Sequence, residues 1–304
     1  MYDHTRQYRC PIIRGKSKTE MDDMLPAYAK VIDEICPCSV EDFDLLFNQA
    51  FVRYIPADDN ATRIKKTLDN HRTEIAGKLF GMYYRAFDGN VYESERTQKY
   101  LNDNDQPAFF KDLCFKMQFP SGMATLHTNL QHIEHEISVR PMAFVIKMLQ
   151  IASVAKVDIF KSDIGYYMLN SLDVLQGAAN PYEVLTAIAS DHQHGIFRKV
   201  KYPGKADSYC HQHINEQINY LELANLIRVG DDKRVTLNLR EQKAIDIFAA
   251  EYDKAPEFDF YGYDFNQEIA RRDVELDWDE YYGKLSIHAT EFATSVGALV
   301  NPEG

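Results

Sequence analysis

Residues 208–238 read SYCHQHINEQINYLELANLIRVGDDKRVTLN, and the spacing of their apolar residues changes once. Ile214, Ile218 and Leu221 recur at helical spacing, with Ser208 expected as the N-cap. Beyond them, Leu226-Ile227-Arg228-Val229 and Arg234-Val235-Thr236-Leu237 alternate at strand period around the polar turn Gly230-Asp231-Asp232-Lys233. A helix laid against a short hairpin is the recognition half of a winged helix. The opposite helix face carries Gln212, Asn215, Glu216 and Asn219, with Tyr209 and His211 near its start. Amides on such a face can read base edges in a major groove, although a merely solvated face has the same composition. The preceding loop, Arg198-Lys199-Val200-Lys201-Tyr202-Pro203-Gly204-Lys205, holds four cations and no acid. That composition suits phosphate contacts, which position a protein on a duplex.

A net charge of −12 over 304 residues argues against a nucleic-acid partner until its distribution is read. Residues 251–304 hold thirteen Asp and Glu against four Lys and Arg, so the remainder of the chain is close to neutral. Residues 1–18 hold five cations and one acid, and residues 61–80 hold five cations and two acids. Basic patches are therefore local and the acidity sits at one end, which leaves DNA binding open. No apolar run is long enough to span a bilayer, and the five cysteines have no framework spacing. A reducing, bacterial cytoplasm and no membrane partner are the expectations that follow.

Residues 1–19 read as a basic extended arm in which Arg9, Arg14, Lys16 and Lys18 are the candidate contacts. Residues 20–94 contain three helical stretches and a hairpin. The first helix, 20–35, is expected to break near Pro26; Ser39 caps the second, with Val40, Phe43, Leu46, Phe47 and Phe51 facing inward. The third, Asn60 to Phe80, turns Ile64, Leu68, Ile75 and Leu79 inward. Lys66, Asn70 and Thr73 fall opposite, flanked by His71 and Arg72, as candidate DNA contacts. Gly81 ends this helix, and Asp88-Gly89-Asn90 turns a hairpin. Three helices and a wing repeat the pattern of residues 208–238. Residues 95–140 form an aromatic-rich linker subdomain with Phe109, Phe110, Leu113 and Phe115 as its core. Residues 141–254 form the second winged helix, with a buried helix from Pro141, caps at Ser162 and Asn180, and a closing helix from Arg240. Residues 255–304 are acidic but rich in Phe and Tyr, so they are expected to pack back on the body. The fold class is thus mainly α with short β-hairpin wings (α+β): two winged-helix subdomains joined by a linker subdomain.

The search for chemistry returns no site. Cys36 with Cys38, His132 with His135, His192 with His194 and His211 with His213 are short-spaced pairs, but no two of them make a zinc array. Asp231 or Asp232 followed by Glu241-Gln242-Lys243 has a two-metal nuclease spacing, yet the acids lie in a turn and the Lys opens a helix. No phosphate loop, nucleophile elbow or dinucleotide fingerprint occurs. No catalytic, metal or cofactor residues are expected in this chain.

RCPIIRGKSK (9–18), TLDNHRTEIAGKLFGMYY (67–84), QPAFFKDLCFKMQFPSGM (106–123) and INYLELANLIR (218–228) together resemble a known family. They are similar to the N-terminal DNA-recognition region of Type IIS restriction endonucleases of the BpuJI kind, over nearly the whole chain. The resemblance implies a monomeric module in which the arm and two winged helices read a short asymmetric double-stranded site. Cleavage would belong to a separate Mg2+-dependent nuclease domain with an Asp/Glu-x-Lys motif. Carried over by position, the contacts would come from the arm, from Asn70, His71 and Arg72, and from residues 201–215. Within and beside that last region, Arg198, Lys199, Lys201, Lys205, Ser208, His211, Gln212 and Asn215 are the candidates. A transcriptional regulator, a protein-interaction scaffold and a reader of modified bases are the alternative classes.

Overall fold

The computed structural model describes residues 1–13, 15, 17–57 and 60–294. Ser17 begins the first helix, α1 (Lys18–Ile35), through a capping box in which its side chain and that of Glu20 satisfy each other's backbone N–H. The expected break at Pro26 does not occur. Met21, Leu25, Tyr28, Val31 and Ile32 are buried on both sides of it, so tertiary packing holds the helix through the proline. A two-residue strand β1 (Cys38–Ser39) leads into α2 (Val40–Phe51), capped by Ser39. Phe43, Phe47 and Phe51 face the core, but Val40, at the first helical position, is exposed.

The third helical stretch departs most from a 3.6-residue reading. Asn60 caps α3 (Ala61–Asp69), and the chain then widens into a π-helix over Asn70–Leu79. Pairing from i to i+5 shifts the inward face relative to an α-helix. His71 and Arg72, expected outward, are therefore turned into the core with 3% and 7% exposure. His71 Nδ1 pairs with Tyr28 Oη. Arg72 reaches Asp44 (2.8 Å), Asp69 (3.0 Å) and Asn48 (2.9 Å), fastening this helix to α2. Gly81 ends the stretch at φ +56°, where an added Cβ would sit 2.7 Å from Tyr282. Strands β2 (Tyr83–Arg85) and β3 (Asn90–Glu93) follow, and β3 pairs antiparallel with both β1 and β2.

Ser94 caps α4 (Glu95–Asp103), and α5 (Gln106–Lys116) buries Phe109, Phe110, Leu113 and Phe115. Then come α6 (Leu126–Glu134) and α7 (Pro141–Ala155), the latter buried over most of its length. Ser162 does not act as a cap. It lies inside the short α8 (Lys161–Asp163), whose N-cap is Phe160, before a π-helical turn over Ile164–Leu169. α9 (Leu172–Leu175) and α10 (Pro181–Gln193, capped by Asn180) lead to α11 (Asp207–Leu223). Hairpin β4 (Ile227–Val229) and β5 (Val235–Leu237) is followed by α12 (Gln242–Ala250). Among the described residues no helix is long and apolar enough to cross a membrane.

The segment after Ala255 lies against the body. Phe258, Phe260, Trp278 and Tyr282 are buried, and α13 (Glu268–Gly283) packs on β2, with Arg85 Nε 2.8 Å from Asp279. Tyr282 donates to the Leu79 carbonyl at 2.9 Å. The acidic end of the chain therefore braces the base of the first helix–hairpin unit.

His132 on α6 is fully buried between Tyr8 and Phe119, and neither ring nitrogen has a partner among the described residues. Burial pushes its pKa down to about 4. Its folded pKa lies below the unfolded value, so its contribution is complete above about pH 6.5 and is lost as pH falls towards 4. His132→Leu should therefore gain on the wild type by up to about 3 kcal/mol between pH 7 and pH 4. Denaturant unfolding of both proteins across that range checks it, and a pH-independent difference rules it out.

Candidate nucleic-acid interface

α11 is held by one face and offers the other. Cys210, His213, Ile214, Gln217, Ile218 and Leu221 are buried, whereas Ser208, His211, Gln212 and Asn215 form an exposed stripe at i, i+3, i+4 and i+7. Ser208 is not the N-cap. The helix begins two residues earlier than that cap implies, after Ala206, which offers no capping side chain, so Ser208 stands exposed in the first turn. A helix start without a side-chain cap points backbone N–H groups and the positive end of its dipole outward.

The loop before α11 divides its cations. Lys199, Lys201 and Lys205 are exposed, and Lys205 Nζ stands 5.1 Å from the Tyr209 ring centroid. Arg198 is instead paired with Asp191, which also accepts from Tyr167, and the hydrogen bond to Asp191 raises the guanidinium pKa. Arg198, unlike the three lysines, would have to leave Asp191 to reach a phosphate. The hairpin after α11 adds an exposed Lys233 at its tip, with φ +68°.

The arm runs alongside α11 in the same direction. Tyr8 N–H donates to the Asn170 carbonyl at 2.8 Å, and Gln7 bridges Ser171. Arg9 Nη2 lies 2.7 Å from Tyr209 Oη and 2.9 Å from His213 Nε2. Further along, Tyr220 Oη meets the Ile13 carbonyl (3.3 Å) and the Gly15 N–H (3.0 Å), and Lys18 pairs with Glu222 at 2.9 Å. Burial pushes the Tyr202 hydroxyl pKa up to about 12, and Tyr202 donates to Asn170 Oδ1 at 2.6 Å. Arg14 and Lys16 lie outside the described residues. The partnership of Arg9 with Tyr202 and Tyr209 was not legible: the residues are some two hundred positions apart, and no local pattern links them.

In the first helix–hairpin unit, Lys66, Asn70 and Thr73 are exposed, as the helical spacing implied. Beside Thr73, between this unit and α13, opens a cleft of about 580 Å³ lined by Phe43, Tyr83, Phe265 and Trp278. Its charges are largely paired, Arg72 with Asp44 and Arg85 with Asp279. No catalytic constellation is assembled at the nuclease-like spacing either. Glu241 is buried against Lys111 (2.8 Å) and Asn225 (3.1 Å), and Asp232 accepts the Arg234 N–H at 3.0 Å. Among the described residues no group of three or more His, Cys, Asp and Glu could hold a metal ion.

A family model described as the N-terminal part of restriction endonuclease BpuJI matches residues 2–279. A crystal structure of pyrene- and phenanthrene-modified DNA in complex with the BpuJ1 endonuclease binding domain is similar at TM-score 0.88. It is 47% identical, over 93% of this chain and 100% of that one. No curated protein sequence matches.

Proposed function

Since the chain belongs to the restriction endonuclease BpuJI N-terminal family, we propose that it is a double-stranded-DNA recognition module. On this reading it targets a Type IIS restriction endonuclease to a short asymmetric site, and Mg2+-dependent cleavage is carried by a separate domain. The observation that carries it is the exposed stripe Ser208, His211, Gln212, Asn215 entered from a loop with three exposed lysines, in a chain 47% identical to a domain solved with DNA. The two helix–hairpin units are read as winged helices, with the Asn70 helix and α11 as their reading elements. The module acts as a monomer, because two unlike units in one chain match an asymmetric site rather than a palindrome.

Roles follow from chemistry. Asn215 and Gln212 present amides of the kind that pair with adenine N6 and N7 in the major groove, and Asn70 does so from the first unit. Ser208 and His211 supply shorter hydrogen-bonding groups. Lys66 and Thr73 flank Asn70, and Lys199, Lys201 and Lys205 carry phosphate contacts. Arg14, Lys16 and Lys18 remain arm candidates by sequence, with Lys18 having to leave Glu222 to reach a phosphate.

Asn215→Ala is expected to relax discrimination at one base pair by about 1–3 kcal/mol and leave other positions unchanged. Arg14→Ala should relax a different single position by a similar amount. Selection of bound duplexes from a random pool, followed by competition with every single-pair variant of the winner, measures both. A pool that returns no preferred sequence overturns the reading of the chain as a sequence-specific module.

A further inference from the structure

Arg9 was expected from sequence to be one of the arm's DNA contacts, and its surroundings argue for a task other than reading a base. Resting on the DNA-recognition reading, we infer that Arg9 is a positioning residue: the joint that fastens the arm to α11 so that both enter DNA as one rigid reading unit. Nη2 lies within hydrogen-bond reach of Tyr209 Oη (2.7 Å) and His213 Nε2 (2.9 Å). A guanidinium only donates, so His213 Nε2 is the acceptor. The guanidinium carbon stands 5.2 Å from the Tyr202 ring centroid and 5.1 Å from that of Tyr209, so two tyrosines flank it. Nε is buried and has no partner among the described residues.

The count of donors decides against base reading. Pairing with guanine O6 and N7 takes two adjacent N–H groups in a fork. Both hydrogens of Nη2 are engaged and Nε is enclosed, which leaves Nη1 alone. No fork can be presented without breaking the joint. The joint also sits where it has leverage. On its N-terminal side Tyr8 is bonded to Asn170, and on its C-terminal side Ile13 and Gly15 meet Tyr220. Between those anchors Arg9 ties the arm to the first turns of α11, just beside the exposed stripe. An arm ordered before binding spares the complex the entropy of ordering it.

The test uses Arg9→Ala, Tyr209→Phe and the double variant, each checked for wild-type thermal unfolding. Without DNA, hydrogen exchange at the Tyr8 amide should be faster in Arg9→Ala than in the wild type. With DNA, Arg9→Ala should bind the selected duplex roughly tenfold more weakly, and every single-pair variant with it. The slope of log K against log salt should stay unchanged. The double variant should bind no worse than Arg9→Ala alone, because both remove one joint. Tyr209→Phe keeps the test open should the alanine variant misfold.

Three results overturn the inference. A salt slope lower by about 0.9 makes Arg9 a phosphate contact. Relaxation confined to one base pair makes it a base reader, and unaltered exchange at Tyr8 removes the joint. If the wild type itself fails to prefer any duplex, the DNA-recognition reading fails while hydrogen exchange still decides the joint.

Discussion

Replacing Lys199, Lys201 and Lys205 together by alanine is expected to weaken binding to selected and random duplexes alike. Each phosphate neutralised contributes about 0.9 to the slope of log K against log salt, so losing three should flatten it by about 2.7. Between 50 and 200 mM salt that slope spans more than one decade in affinity, so the variant should lose most at low salt and converge on the wild type at high salt. The prediction rests on exposure. These three side chains stand in solvent at the entry to α11, whereas Arg198 in the same run is neutralised by Asp191. Arg198→Ala should therefore leave the slope nearly unchanged, which makes it the internal control. Binding isotherms of both variants at four salt concentrations decide the matter. A flattening of about 0.9 in Arg198→Ala would show that the ion pair with Asp191 opens on DNA. A loss confined to the selected duplex would move the lysines from phosphates to bases.

The second large effect is on stability. Arg96 is 1% exposed and Asp112 2%; Arg96 Nε lies 2.8 Å from Asp112 Oδ2, and Nη1 donates to the Phe80 carbonyl at 2.7 Å. Asp112 Oδ1 accepts the Ser286 N–H at 2.8 Å, and the guanidinium lies 4.7 Å from the Tyr282 ring centroid. One ion pair thus joins the end of the Asn70–Leu79 helix, α5 and the C-terminal segment. Arg96→Met should destabilise the chain by about 3–5 kcal/mol, because it leaves a buried carboxylate without its counter-charge. The double variant Arg96→Met/Asp112→Leu should recover a large part of that loss, since no uncompensated charge then remains. Equilibrium unfolding in denaturant gives both numbers. A double variant no more stable than the single one would mean that the hydrogen bonds to Phe80 and Ser286, rather than the charge pairing, hold this junction.

Several local rules read from the sequence match the structure. Ser39 and Asn180 cap helices, Gly81 stops one at positive φ, and Asp88-Gly89-Asn90 turns a hairpin. Each is a short-range constraint, satisfied within a few residues of the backbone. The exposure of Gln212 and Asn215 on α11 was legible for the same reason, because a 3.6-residue repeat assigns helix faces without reference to any partner, whereas Glu216 and Asn219 of the expected face are half-buried. The resemblance carried by residues 9–18, 67–84, 106–123 and 218–228 agrees with the family match over residues 2–279.

The features that escaped the sequence are those in which a distant group outweighed the local one. Pro26 sits inside α1 because buried neighbours on both sides hold the helix together. His71 and Arg72 face inward because the helix widens to i→i+5 pairing, a choice made by packing against Tyr28 and by Asp44 on α2. Arg198 reads as one more cation in a basic loop until the fold brings it to Asp191, and Arg9 reads as a free arm residue until it meets Tyr209. Residues 208–238 by themselves determined a helix, a hairpin and a polar face. Only the tertiary structure decided which cations around that face are free to meet a phosphate. Periodicity is a property of neighbouring residues, whereas neutralisation of a charge depends on which acids and rings the rest of the chain folds against it.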